Sequence, residues 1–368
     1  MSSGGLFASH REMIPNQHTL KWPVCRLIDN SRRMTTLPKH ERYKRRICAG
    51  LILMMCSTAI MAADRTPKKF EMPFTATTKD EALVWQKQVR SKLLECVQLQ
   101  EPHISLEDVP LDVQVGPAQD KGTYTLSTAS FQGSNKTGTR REGLLAVPKQ
   151  KGPLPAMICL HGHSGSAQQV FDPKTLYYGM ADRFASGGYV VFAPTIRHRK
   201  YAAMELWNLM RAVEVLLTRP EVDPARIGVA GLSMGGEWTL WLAACDERVK
   251  AAVVSGWMCT TEGIFSVNNC PCWELPGTVE LLDVADMALL IAPRPVLFES
   301  AERDIYLPIR FSRLGFTRIQ AGYKIFGADE AARQDVFPGP HEWHGTLAYP
   351  MIDKVLGGRA AQVQPPNP

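Results

Sequence analysis

Gly231-Leu232-Ser233-Met234-Gly235 sets a serine between two glycines, each two residues away. The spacing is that of a nucleophile elbow, a sharp strand-to-helix turn that lifts a hydroxyl toward substrate. Small residues frame the serine because bulkier ones would clash in so tight a turn. The flanks agree with this reading. Arg226-Ile227-Gly228-Val229-Ala230 reads as an apolar strand leading in, and Glu237 to Ala244 reads as a helix leading out. A serine hydroxyl is a weak nucleophile until a base takes its proton and a third group orients that base. The rest of the chain must therefore supply a histidine, an acid and donors for a developing oxyanion.

The acid is expected after the nucleophile in the chain, and the histidine last. Pro293 to Asp304 reads as a buried strand running into an acidic loop, and Asp304 is the chosen acid. Glu302 and Glu299 are its rivals, with a plainer reading as solvated or helix-capping carboxylates. The base is His341, in the Gly/Pro loop Phe337-Pro338-Gly339-Pro340-His341, with His344 as competitor. An oxyanion hole needs two backbone N–H groups. Met234 supplies one, at the positive end of its helix. His163, in the loop His161-Gly162-His163-Ser164-Gly165, supplies the other. His161 itself reads as a structural hydrogen-bonder. Arg197, His198, Trp257 and Trp343 are candidate pocket residues, and Trp207 is named with the other two tryptophans as a pocket wall. For each, a solvated loop or a core position is the plainer alternative.

The elements that must position these groups alternate. Strand-like runs at Met157–Leu160, Tyr189–Phe192, Arg226–Ala230, Lys250–Val254 and Val296–Phe298 are separated by helical segments at Thr175–Phe184, Tyr201–Leu217, Glu237–Ala244 and Val284–Ile291. Such alternation implies a mostly parallel sheet with helices on both faces. Each candidate group then follows a strand, where ligands bind in such sheets. A final helix is expected at Thr346 to Leu356. Upstream, Thr78-Lys79-Asp80-Glu81 reads as a capping box opening a helix with Leu83, Val89, Leu93 and Val97. β-like runs at Val113–Val115, Tyr124–Phe131 and Gly143–Pro148 suggest an antiparallel meander. Residues 64–361 are read as one domain, and Gln362 to Pro368 as a disordered Pro-rich tail. Asn135-Lys136-Thr137 marks an exposed turn.

The formal net charge is +6, but residues 1–63 hold 10 Lys and Arg against 3 Asp and Glu. The remainder carries 32 against 33, so no basic stripe exists for nucleic acid. The basic excess, from Lys39 to Arg46, precedes an apolar stretch from Ile47 to Met61 and small residues at Ala62 and Ala63. This is the pattern of a secretory signal peptide, and export is expected without stable membrane association afterwards. An uncleaved N-terminal anchor is the alternative, and a lipoprotein at Cys56 a weaker one. Met34 would make a more conventional start than Met1. Of nine cysteines, Cys25, Cys48 and Cys56 fall in this prefix. Cys159 and Cys245 sit in apolar runs as buried thiols. Cys96 also lies in the exported part. One bridge among Cys259, Cys270 and Cys272 is expected. Cys270-Pro271-Cys272 lacks a second Cys/His pair at zinc spacing, and neither metal nor cofactor is expected.

From Leu154 to Gly345 the chain resembles the α/β-hydrolase superfamily, on its dienelactone-hydrolase-like and acetyl-xylan-esterase-like side. The resemblance rests on His161 to Gly165, Gly231 to Gly236, Ile291-Ala292-Pro293-Arg294-Pro295 with Asp304, and His341. It implies the α/β-hydrolase fold with an eight-stranded sheet, and a triad of Ser233, Asp304 and His341. Dienelactone hydrolases carry a cysteine nucleophile where this chain has Ser233, which favours an ester or carbohydrate-ester hydrolase. The arginine that follows the serine in glucuronoyl esterases is absent. The region before Leu154 is too short for the propeller of prolyl-oligopeptidase-type peptidases. The expected partner is a small-molecule or carbohydrate ester. A peptidase or acyltransferase with the same triad, or an inactive hydrolase fold used as a binding module, are the competing readings.

Overall fold

The computed structural model describes residues 65–100, 109–133, 140–198 and 202–363, which lie in one compact unit. The expected signal peptide with Cys25, Cys48 and Cys56, the turn expected at Asn135 and residues 364–368 of the tail lie outside the described residues.

Ten strands form one sheet among the described residues. They are β1 (Gln114–Val115), β2 (Gln119–Asp120), β3 (Tyr124–Gln132), β4 (Arg140–Pro148), β5 (Leu154–Leu160), β6 (Val190–Pro194), β7 (Val222–Leu232), β8 (Val249–Ser255), β9 (Val296–Ala301) and β10 (Ala332–Phe337). The order is β1-β3-β4-β6-β5-β7-β8-β9-β10, with β2 also on β3. Pairing is antiparallel from β1 to β6 and parallel from β6 through β5 to β10. The count exceeds the expected eight because β1 and β2 are two-residue additions at the edge.

The parallel strands inside the edge strand β10 are buried on both faces, and their side chains alternate between two cores. Ala156, Ile158 and Leu160 of β5 join one core, whereas Met157 and Cys159 join the other. Ala252 and Val254 of β8 likewise oppose Ala251 and Val253. This two-sided burial is why these strands read as continuous apolar runs. Helices α1 (Lys79–Gln100), α3 (Ala202–Leu217), α4 (Met234–Cys245), α6 (Val284–Met287) and α7 (Ile309–Ile325) cover the first face. The second is covered by α2 (Met180–Ser186) and α8 (Ala348–Leu356); α5 (Thr261–Phe265) follows β8.

The capping box holds: Glu81 accepts from the Thr78 N–H at 3.1 Å, while its own N–H donates to Thr78 Oγ1 at 3.3 Å. The buried stripe of α1 runs through Ala82, Trp85, Val89 and Leu93, and Leu83 faces solvent. In α3, Leu206, Leu209, Val213 and Leu216 are buried, Trp207 is half-buried and Leu217 is exposed. The helix expected at Thr175–Phe184 starts only at Met180, because Gly179 adopts φ 64° and residues 173–179 form turns. Helix α7 and strand β10 are additions to the sequence reading.

Candidate active site

Ser233 links the last residue of β7 to the first of α4 and adopts φ 63°, ψ −124°. A side-chain-bearing residue in that region costs on the order of 1–3 kcal/mol, so the surroundings must hold it there. They do so by close backbone approach. A Cβ on Gly231 would lie 2.3 Å from the Gly235 carbonyl oxygen, and one on Gly235 2.3 Å from that of Leu160. The Ser233 N–H donates to the Ser255 carbonyl at 3.0 Å, and the Glu237 N–H to that of Ser233 at 2.9 Å. Ser233 is half-buried and so reachable from solvent.

His341 and Asp304 meet at 2.7 Å, Nδ1 to Oδ2. Asp304 is nearly buried and its Oδ1 accepts the N–H groups of Tyr306 at 2.8 Å and Leu307 at 3.1 Å. With Oδ1 satisfied by backbone donors, Oδ2 is left for the imidazole, whose Nδ1 then carries the proton. The Tyr306 ring packs edge-on against His341 at 5.0 Å. His341 Nε2 is buried without a hydrogen-bond partner among the described residues. It sits beside Gly256, where a Cβ would come within 2.8 Å of His341 Cε1. Gly256 directly follows Ser255, whose carbonyl holds the Ser233 N–H. Such a ring can take a proton through Nε2. Hydrogen bonds of this kind are often long in the absence of substrate.

His344 is engaged elsewhere. Its Nδ1 lies 2.7 Å from Asp335 Oδ2, its Nε2 3.2 Å from Thr346 Oγ1, and its ring stacks on Phe337. Glu302 is exposed and pairs with Arg313. Glu299 is not solvated: it is buried in β9 and its carboxylate accepts the N–H groups of His344 at 3.1 Å and Gly345 at 2.7 Å. It thereby anchors the loop that carries His341. Burial raises its pKa, against the opposing pull of Ser255 and these two amides.

The loop after β5 abuts the serine, since a Cβ on Gly162 would lie 3.0 Å from Ser233 Cβ. His161 is buried. Its Nε2 accepts the Ile196 N–H at 3.1 Å, which leaves the proton on Nδ1, 2.9 Å from the Gly162 carbonyl. Burial holds its pKa below the usual histidine range. The Gly162 N–H donates to Tyr177 Oη at 2.6 Å, a support the sequence reading missed. The N–H groups of His163 and Met234 make no backbone hydrogen bond among the described residues, and for Met234, at the first helical position, none is expected.

Other expectations are redistributed. Trp343 is 1% exposed and bonds Tyr349 Oη through Nε1, so it is core and not a pocket wall. Trp257 is buried next to Trp273. Arg197 and His198 are exposed after β6. The Arg197 N–H bonds Glu205, whose pKa burial pushes up to about 7. Glu237, in the first turn of α4, is buried with neither carboxylate oxygen hydrogen-bonded, and burial pushes its pKa up to about 8. The expected bridge is absent: Cys259, Cys270 and Cys272 are all free, Cys259 packing under Gly263 of α5. Cys159 and Cys245 are buried thiols, as expected. Cys272 Sγ lies 3.0 Å from His163 Nε2, and Cys270 Sγ 3.1 Å from His198 Nε2. No helix among the described residues is long and apolar enough to cross a membrane.

Residues 142–256 match the dienelactone hydrolase family. "Putative hydrolase YtaP" of Bacillus subtilis is 25% identical over 179 residues, 40% of this chain and 60% of that protein, so the chain spans less than two thirds of its relative. Among solved structures, methylesterase BT1017 superposes with a TM-score of 0.64 at 20% identity, over 78% of this chain and 67% of that one. A putative acetyl xylan esterase from Bacteroides fragilis superposes with a TM-score of 0.65 at 16% identity, over 82% and 94%. Sheet order, elbow and these likenesses give this chain the α/β-hydrolase fold, and residues 142–256 match the dienelactone hydrolase family.

Proposed function

We propose that the protein is an exported serine hydrolase that cleaves a carboxylic ester, with an acetyl ester of a carbohydrate as the favoured substrate class. The observation that carries this reading is the His341–Asp304 contact at 2.7 Å beside a serine held at φ 63°. His341 Nε2 takes the Ser233 proton as Oγ attacks the ester carbonyl. The N–H groups of His163 and Met234 receive the developing oxyanion. His341 then protonates the leaving alcohol, and water, activated by the same ring, hydrolyses the acyl-enzyme. Asp304 orients the ring and stabilises its cation. The serine supports ester over thiol-type dienelactone chemistry, and the solved relatives named as esterases support the substrate class. Export rests on the signal-like segment before residue 64.

A fluorophosphonate probe should label the purified protein at Ser233, and Ser233→Ala should abolish labelling. Absence of labelling in folded protein overturns the reading. A panel of acetylated sugars, aryl acetates and methyl uronates then sorts the substrate: preference for acetylated sugars supports the finer proposal, and preference for methyl uronates overturns it.

A further inference from the structure

Four side chains from three loops converge next to the site: His163 after β5, His198 after β6, and Cys270 with Cys272 in the loop following α5. Their ligating atoms all lie within 4.8 Å of one another. His163 Nε2 and Cys272 Sγ are 3.0 Å apart, His198 Nε2 and Cys270 Sγ 3.1 Å apart, and the two imidazoles meet edge to face at 5.0 Å. With Zn–S near 2.3 Å and Zn–N near 2.0–2.1 Å, tetrahedral ligands stand about 3.3–3.8 Å from each other. The two His–Cys pairs, at 3.0 and 3.1 Å, stand a few tenths of an ångström short of that range, and no pair of the four exceeds 4.8 Å. The second Cys/His pair that zinc spacing demands is thus supplied in space, by residues 109 and 72 positions away in the chain.

A second observation points the same way. The Glu237 carboxylate is 1% exposed and neither of its oxygens finds a hydrogen-bond partner. It lies within electrostatic reach of Cys272. Cys270 and Cys272 would bind a metal as thiolates, and a cation held there would also offset the desolvation of the unpartnered Glu237 carboxylate.

We propose that His163, His198, Cys270 and Cys272 bind a zinc-type divalent metal in a closed tetrahedral site. The donor set, two thiolates and two imidazoles, is one that selects zinc over hard cations. Four protein ligands leave no position for substrate, so the metal is structural. It clamps three loops together and fixes the ring of His163, and with it the backbone N–H proposed for the oxyanion. Binding releases the two thiol protons to solvent and involves no redox change. The metal site stands on its own geometry and does not depend on which ester is cleaved.

The test is metal content of the full chain, purified after expression with zinc and dialysed, read by elemental mass spectrometry. About one zinc per chain is expected. The Cys270→Ser/Cys272→Ser double variant and His198→Ala should fall below about a tenth of that, while Cys245→Ala keeps it. In the wild-type chain, cobalt loading should give thiolate-to-metal charge-transfer absorption. Cys270 and Cys272 should resist alkylation until a chelator is added. These wild-type readouts hold even if the variants fail to fold. Folded protein without zinc or cobalt, full zinc content in the double variant, or a Cys270–Cys272 disulfide found by peptide mass mapping would each overturn the proposal. Fluorophosphonate labelling of Ser233 reports the hydrolase reading separately.

Discussion

The exchange Asp304→Asn separates the two histidines by their tautomers. Asp304 Oδ1 accepts two backbone N–H groups, from Tyr306 and Leu307, at 2.8 and 3.1 Å. Those donors will keep the oxygen of the new amide in the same place. The amide nitrogen then takes the Oδ2 position, 2.7 Å from His341 Nδ1. Two donors cannot face each other, so Nδ1 must become the acceptor and the ring proton moves to Nε2. A base protonated on Nε2 cannot accept the serine proton. The same exchange in a Ser-His-Asp protease costs about 10⁴-fold in kcat. At about 1.36 kcal/mol per decade this is about 5 kcal/mol of transition-state stabilisation. The assay is kcat and KM for an aryl acetate, with circular dichroism to check the fold. KM should change little. Asp335→Asn, which alters the partner of His344 at 2.7 Å, should leave kcat within about threefold. If Asp304→Asn retains most of its activity while Asp335→Asn loses it, the base is His344 and the reasoning fails.

Three further outcomes are expected. Tyr177→Phe leaves the buried Gly162 N–H unpaired, which should cost about 1–3 kcal/mol in denaturant unfolding and lower kcat more than it raises KM; unchanged stability would refute the pairing. Gly235→Ala brings a Cβ to 2.3 Å from the Leu160 carbonyl oxygen, with backbone also at 2.7 and 2.8 Å, so loss of soluble protein or destabilisation beyond about 3 kcal/mol is expected. Burial pushes the Glu205 pKa up to about 7, against 4.5 for the free side chain. Between those values the unfolded chain has released a proton that the folded chain keeps. Its contribution to stability is therefore complete below about pH 4.5 and lost as pH rises through about 7. Glu205→Gln should flatten the fall of Tm across that window; parallel Tm profiles would refute the assignment.

The parts of this molecule that could be read from residues are those whose pattern is local. The elbow shows itself because its five residues are contiguous between strand and helix, even though the backbone that excludes a Cβ is close in the chain only for Gly231 and belongs to Leu160 and His161 for Gly235. The buried strands β5 to β9 show as apolar runs because both their faces are covered. Strand β10, Ala-Arg-Gln-Asp-Val-Phe, lies at the sheet edge with half its side chains outward, and its charges hide it. Helix α7 carries Gly315 and Gly322, which read as breakers; a Cβ at Gly322 would press into Leu289 at 2.4 Å, so its smallness is a packing requirement. Glu299 looks like a loop acid in sequence, and only the fold reveals that it faces the amides of His344 and Gly345. His198 and Cys270, 72 residues apart, share no local signal at all.

The hydrogen bonds between strands do not stop where the regular sheet ends. Ser233 bonds to Ser255, Gly256 to Glu299, Glu302 to Phe337 and Arg303 to Gly339, all at 2.9–3.0 Å. The ladder thus runs on into the segments that carry the serine, the acid and the histidine. Their spacing is metered by strand register and not by loop length. A slip of one residue between β8 and β9 would carry the acid about 3.3 Å along the strand and turn its side chain to the other face. Segments of this rim beyond the ladder can therefore vary while the register of the four strands beneath continues to set where the stretches leading to Ser233, Asp304 and His341 begin.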